Sequence, residues 1–361
     1  MSDDAGGSPG DRLQERVVSF YFPERGALGD TDPLTLDPDR DWMIFGTGLY
    51  VWILQTFLRL RAAGAPVQLV ATPPASGLVV THADHFEQVL SGAPSPARLT
   101  IIVARSDRRP QRLADFGIVQ NAESADRHHF FIPSWLQPGL IPRRPDRGAR
   151  VELIAYVGAI KELDPDLAGP AWADALRVRG LQWDCRTIAF SGNDQRYQRL
   201  RWNDYASTDV VVALRAPASW DVRSKPAAKL QNAWAAGVPA ILSPERPYRE
   251  LRRSPLDYLE ARSSADVLTA IDALRSNPTL YADMVQNGLE RAREFRSDRL
   301  VSRWRDVLWR DIPARADTRL HRLLARARRC RALARRLNAS ALGSFHGRPA
   351  SFDRGVSATF D

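Results

Sequence analysis

Cysteine is nearly absent from this sequence, with two in 361 residues, Cys185 and Cys330, far apart. That scarcity leaves no basis for a disulfide framework or a structural zinc site, and it fits a reducing cytoplasm. Long apolar runs are missing too. The best, Leu49 to Leu60, falls short of the ~20 residues that a membrane span needs and contains Gln55 and Arg59. The first residues, MSDDAGGSPGDR, are polar and acidic, unlike a secretory signal. No short-period repeat is visible. What is present is the composition of a globular chain, 44% hydrophobic and 26% charged, long enough for two domains with sizeable cores.

The formal net charge of +9 is localised. Between Thr318 and Phe345 lie eight arginines and no acid, so the rest of the chain carries about +1. Leu320, Leu323, Leu324, Ala327, Cys330, Ala334 and Leu337 fall on one face at helical spacing, which predicts a basic amphipathic helix over 318–337 and a loose polar tail from Asn338. The near-neutral body weighs against nucleic-acid binding. The helix suits an anionic membrane surface, where each basic residue adds roughly 1 kcal/mol, or an acidic partner, the chain's own N-terminal domain included. Nucleic-acid phosphates are the remaining alternative.

Residues 1–15 read as disordered. Over 16–132, strands are predicted at Val17–Phe22, Val67–Ala71, Gly77–Thr81, Leu99–Ala104, Gly117–Gln120 and Phe130–Ile132, with helices near Leu49–Ala63 and His85–Leu90. Pro133 to Arg150 holds four prolines and two glycines, a stiff linker and the clearest domain boundary. The pattern restarts over 151–311, with strands at Val151–Val157, Trp183–Phe190, Val210–Leu214 and Val238–Leu242. Helices are expected at Pro170–Arg179, Trp202–Ser207, Ser264–Arg275, Thr279–Phe295 and Asp298–Trp309. Residues 312–361 hold the basic helix and tail. The expected fold is α/β: two Rossmann-like domains with a ligand cleft between the carboxyl ends of their strands.

Most of the legible chemistry lies between Thr208 and Leu251. Two apolar runs, at Val210–Leu214 and Val238–Leu242, flank a helix that reads as starting at Lys225-Pro226 and closing at Gly237. Free N–H groups and the helix dipole favour an anion at such a start. Lys225 and Lys229, one turn apart and close to Arg223, are candidates to hold a diphosphate and stabilise it as a leaving group. A solvated helix face is the plainer alternative.

Leu230-Gln231-Asn232-Ala233-Trp234-Ala235-Ala236-Gly237-Val238-Pro239 resembles the L-E-A-M-A-x-G-x-P-V tail of the Glu-x7-Glu pattern in GT-B-fold glycosyltransferases, with one residue inserted after the leucine. The likeness is to the donor domain of the group 1 enzymes, specific over 208–251 and matching in layout over about 150–295. It implies a nucleoside diphosphate sugar as co-substrate, a glycan or lipid-linked acceptor, and neither metal nor cofactor. On this alignment Ser224 and Asn232 stand where the family has its two glutamates, and neither is acidic. Asn232 is then the candidate for the ribose hydroxyls, Ser224 lies near the sugar or its phosphate, and Glu250 stands close to a further family glutamate. Gly158-Ala159-Ile160-Lys161 lacks the arginine of the family's basic pair, which puts the phosphate charge on Lys225 and Lys229.

The N-terminal half resembles the acceptor domain in layout alone. Gly46-Thr47-Gly48 precedes a helix and lets backbone approach the donor. Arg105-Ser106-Asp107-Arg108-Arg109 follows a strand end, with Arg105 a candidate for the acceptor and Asp107 for the base. His82 and His85, just past another strand, are alternative bases, whereas His128-His129 read as structural. Asp30-x-Asp32, Asp37-x-Asp39 and Asp164-x-Asp166 match a metal-binding DxD string but fall in expected loops, so no metal role is assigned.

These readings predict a metal-independent glycosyltransferase in the cytoplasm, peripheral to the inner membrane face through 318–337. The alternative is a non-catalytic binding or scaffold protein of the same shape, tethered by its basic tail.

Overall fold

The computed structural model describes residues 16–24, 28–188, 201–217 and 224–316, together with Ala327. The segment 1–15, the basic helix over 318–337 apart from Ala327, the tail beyond it and Arg223 lie outside the described residues.

Among the described residues, six parallel strands form the first sheet: β1 Val18–Tyr21, β2 Val67–Val70, β3 Gly77–His82, β4 Leu99–Ala104, β5 Phe116–Val119 and β6 His129–Phe131. Their order is β2-β1-β3-β4-β5-β6. The chain reaches β2 through a helical segment, a π-turn at Tyr50–Gln55 running into α1 (Thr56–Ala62). It then crosses to the other side of β1, and α2 (Phe86–Gly92) follows β3. Apolar residues such as Phe20, Val80 and Ile102 are fully buried, as expected for parallel strands covered on both faces.

The second sheet has the order β11-β10-β9-β7-β8, again parallel. Its strands are β7 Leu153–Ala159, β8 Gln182–Ile188, β9 Val210–Ala213, β10 Ala240–Leu242 and β11 Leu259–Glu260. α3 (Pro165–Ala168) and α4 (Pro170–Val178) lead from β7 to β8, α5 (Ala228–Ala236) joins β9 to β10, and α6 (Arg246–Leu251) follows β10. α7 (Ser264–Ser276) and α8 (Pro278–Ala292) complete this half.

Each sheet reverses its winding direction once, between β1 and β3 in the first and between β7 and β9 in the second. Open α/β sheets take ligands at such switch points, beyond the carboxyl ends of the strands.

Three expectations from the sequence are corrected. The helix expected from Lys225-Pro226 begins at Ala228, with Ala227 as N-cap; the residue before a proline is disfavoured in a helix. Residues 202–207 form turns instead of a helix: Asn203 donates to Gly139 O and Asp204 Oδ1 accepts from Ala206 N, so polar side chains take the backbone's place. The third concerns α9 (Ser297–Arg305) and the π-turn Asp306–Asp311, placed by sequence with the second half, and α10 (Ile312–Ala316), placed by sequence with the basic tail. Leu300, Trp304, Val307, Leu308 and Ile312, spaced on one helical face, are buried in the first core instead. Trp304 packs against Phe20 and Trp52, and Trp309 Nε1 donates to Arg16 O at 2.8 Å. The chain thus crosses back to the domain where it began.

The Pro-rich stretch between the halves is anchored on both sides. Trp135 Nε1 donates to Thr56 Oγ1 at 2.9 Å, and Ser134 Oγ to Gln231 Oε1 at 3.1 Å. Arg143 and Arg147 both clamp Asp209, a carboxylate with no exposed surface that also accepts the N–H groups of Glu152 and Leu153. No helix among the described residues is long and apolar enough to cross a membrane.

Candidate functional site

Both switch points open onto one cleft of about 650 Å³ between the domains. From the second domain come Glu162, just past β7; Arg215, just past β9; and Lys225 and Lys229, around the start of α5. Opposite lie Gly48, His82 and Asp107.

Glu162 is the hub of the second-domain wall. Its carboxylate accepts from Lys225 Nζ at 2.8 Å and from an Arg215 guanidinium nitrogen at 2.7 Å, with Lys229 Nζ at 3.7 Å. Arg215, 8% exposed, also donates to Glu245, which Ser243 Oγ supports at 2.6 Å. Burial would raise the Glu162 carboxyl, but Lys229, Arg215 and Lys225 outweigh it and hold it down at about 2. Burial, together with the Arg215 charge, pulls the Lys229 ammonium down to about 8. Burial also disfavours the Arg215 charge, yet Tyr248, Glu245 and Glu162 raise its pKa.

Lys229 lies 5.7 Å from the centre of the Tyr156 ring, whose hydroxyl donates to Ala159 O at 2.9 Å. Gly158 makes this packing feasible. A Cβ there would sit 2.7 Å from Tyr156 Oη and 3.1 Å from Lys229 Cε.

The sequence holds one signal for this wall that motif reading passed over. Lys and Arg together number 51, yet only three are lysines, Lys161, Lys225 and Lys229, and all three line the cleft. A chain that otherwise spends arginine on its surface ion pairs keeps lysine for one place. An ammonium is a compact cation whose pKa shifts on burial, unlike guanidinium. Glu162 and Arg215 themselves had no motif to mark them.

The first-domain wall is different in kind. His82 is 2% exposed, and burial pulls its pKa to about 4, against the opposing charge of Asp84. Its Nδ1 accepts the N–H of Asp84 at 3.3 Å, so the neutral ring carries its proton on Nε2. Nε2 is buried with no hydrogen-bond partner among the described residues, and a Cβ on Gly48 would sit 2.7 Å from it. The Nε2 edge of the ring thus lies directly behind Gly48 on the cleft wall. Arg108 fixes Asp84 with bonds of 2.6 and 2.9 Å. Ser106 has φ +52°, in the left-handed region. The loop turns there, so that Ser106, Asp107 and Arg108 face the cleft while Arg105 lines a separate pocket with His128 and His129. The acceptor role expected of Arg105 at the cleft is therefore not supported.

The other expected residues divide. Gly46 and Gly48 line the cleft, and Asp107 reaches across it to Lys225 Nζ at 3.4 Å. Asn232 lines it too, but its Oδ1 is taken by the Gln137 N–H at 2.9 Å. Ser224 and Glu250 are not in the cleft wall. The Ser224 carbonyl accepts from Gln120 Nε2 at 2.5 Å, and the Glu250 carboxylate accepts the N–H groups of Ala122 and Glu123, which ties the domains together. Both lie where the loop after β5 packs against the second domain. Among the described residues, no group of three or more His, Cys, Asp or Glu side chains could hold a metal ion.

No protein-family model matches the sequence, and no curated protein matches it. Solved structures overlap it at low identity. The Anabaena protein HepE, in complex with UDP and glucose, aligns at TM-score 0.48 and 11% identity over 81% of this chain and 99% of its own. AviGT4, a glycosyltransferase of avilamycin A biosynthesis, gives 0.48 and 15% over 81% and 97%. Sucrose-phosphate synthase from Thermosynechococcus elongatus gives 0.42 and 15% over 77% and 81%.

Proposed function

We propose that this chain is a glycosyltransferase that takes a sugar from a nucleoside diphosphate sugar and passes it to a hydroxyl acceptor. One observation carries the reading: every lysine of the sequence converges on a cleft at the switch points of two parallel sheets. Breaking the bond between sugar and diphosphate leaves negative charge on the diphosphate. Lys225, Lys229 and Arg215 are preorganised cations in a partly dry wall, where such charge is stabilised most. α5 has no side-chain cap on its first turn, so its free amides add to the same anion site.

Glu162 occupies part of that site, and the arriving diphosphate takes over the lysines that it holds. On the opposite wall, the His82 Nε2–H donates to a substrate oxygen, and Asp107 is the carboxylate placed to receive the acceptor's proton. The charge on the leaving group is met by side chains, so the proposal calls for no metal or other cofactor. A glycan or lipid-linked acceptor and a place at an anionic membrane surface remain part of the proposal through the basic segment 318–337.

Thermal unfolding with UDP, GDP, ADP and CMP tests the reading. At 100 times its dissociation constant a true ligand adds about 2.7 kcal/mol, a rise in melting temperature on the order of 5 °C. One diphosphate is expected to act and the others to act less. No rise with any of them would contradict the donor-site reading.

A further inference from the structure

Lys225 lies outside α5, so the helix does not fix its backbone. The first domain reaches over to hold it. Gln120 and Asn121 follow β5 and are 7% and 5% exposed. Gln120 Nε2 donates to the carbonyl of Ser224 at 2.5 Å, and Asn121 Nδ2 to the carbonyl of Lys225 itself at 2.9 Å. Two residues on, the same loop is tied down again: Glu250 accepts from Ala122 and Glu123, and Arg246 pairs with Glu123 at 2.5 Å. The Lys225 side chain completes the bridge to Asp107.

We infer that Gln120 and Asn121 are positioning residues for Lys225, so that one of the cleft's lysines is placed by the opposite domain. Both lysines meet Glu162, but Lys229, by contrast, has its backbone fixed within its own domain by α5 and its side chain against Tyr156. The anion site is then complete only while the two domains are in contact. Buried amide side chains that donate to backbone carbonyls at such distances are costly to remove, since the carbonyl is left unpaired. This inference rests on the functional reading for its consequence, diphosphate binding, but its geometry stands apart from it.

Two measurements on the full-length protein decide the matter. The first needs no ligand. With three lysines in the chain, limited acetylation followed by peptide mass spectrometry reports each one separately. Asn121→Ala, and the isosteric Asn121→Asp, which cannot donate to the carbonyl, are expected to raise the labelling rate of Lys225 several-fold relative to wild type while that of Lys229 stays unchanged. Unchanged Lys225 labelling, or an equal rise at both lysines as general loosening would give, would overturn the inference.

The second is calorimetry with inorganic pyrophosphate. Asn121→Ala is expected to weaken binding about tenfold in the wild-type background and not at all in Lys225→Ala, because it acts through that lysine. Equal losses in the two backgrounds would contradict it. If the wild-type protein bound neither pyrophosphate nor any nucleoside diphosphate, the functional reading would fail, and the labelling result would still decide whether Asn121 places Lys225.

Discussion

The two walls of the cleft solve different problems. The second-domain wall is a tight ring of paired ions: Glu162 between Lys225, Lys229 and Arg215, with Glu245 behind Arg215. The first-domain wall at Gly48 has no ion pair at its centre but a neutral imidazole, His82, against a glycine, with its charges held further out by the Asp84–Arg108 pair. A preformed cationic ring suits a ligand of fixed charge, since the cost of gathering like charges is met in folding. A neutral donor beside bare backbone suits hydroxyl oxygens, whose placement depends on shape. On the function proposed above, the leaving diphosphate would belong to one wall and the sugar or acceptor hydroxyls to the other.

Removing a cation should break the contrast most. Lys229→Ala is expected to cost nucleoside diphosphate affinity about 100-fold, the scale of a lost hydrogen bond between charged groups, as read by calorimetry. Gly158→Ala comes next. Its methyl group would press on Tyr156 and Lys229 without touching any charge, and a loss of about tenfold is expected. If Gly158→Ala binds as well as wild type, the placement of Lys229 is not what the ring depends on.

The pH response sharpens the same point. Lys229 is protonated below about pH 8 and gives up its proton above it. Diphosphate affinity should therefore fall as pH rises past 8, with a proton taken up on binding. Lys229→Arg, whose charge persists, should remove that fall. On the other wall, His82 stays neutral down to about pH 4, so replacing it by Gln should remove no inflection near pH 6.5 from the turnover profile. His82→Gln, which keeps a donor, should change diphosphate affinity least, within about twofold, and show its effect in turnover instead. A large loss of diphosphate affinity in His82→Gln would undo the division between the walls.

Much of the fold could be read from the chain because parallel strands buried on both faces announce themselves. Leu99–Ala104 appears as predicted, and β9 starts at Val210 as the triple valine suggests. What could not be read had a nonlocal cause. The amphipathic pattern of 298–309 gives a helix but does not say which of two cores will bury Trp304. Residues 202–207 looked helical until Asn203 and Asp204 found backbone partners, one of them in the linker. At the site, Lys225 and Lys229 were legible from their place in a strand-helix-strand unit, whereas Glu162, a single acid after a strand, gains its meaning from three cations distant in sequence. Glu250 and Ser224 were drawn to the donor by alignment, and only packing shows that they serve the contact between the domains.

The direct measurement is nitrogen-detected NMR of the lysine ammonium groups, three in all, titrated with a nucleoside diphosphate at pH 6. The Lys225 and Lys229 signals, assigned from the arginine variants, should shift together and saturate as Glu162 is replaced by phosphate oxygens. Signals that stay in place while the nucleotide binds elsewhere, or that never move at millimolar concentrations, would contradict a diphosphate site built from the chain's lysines.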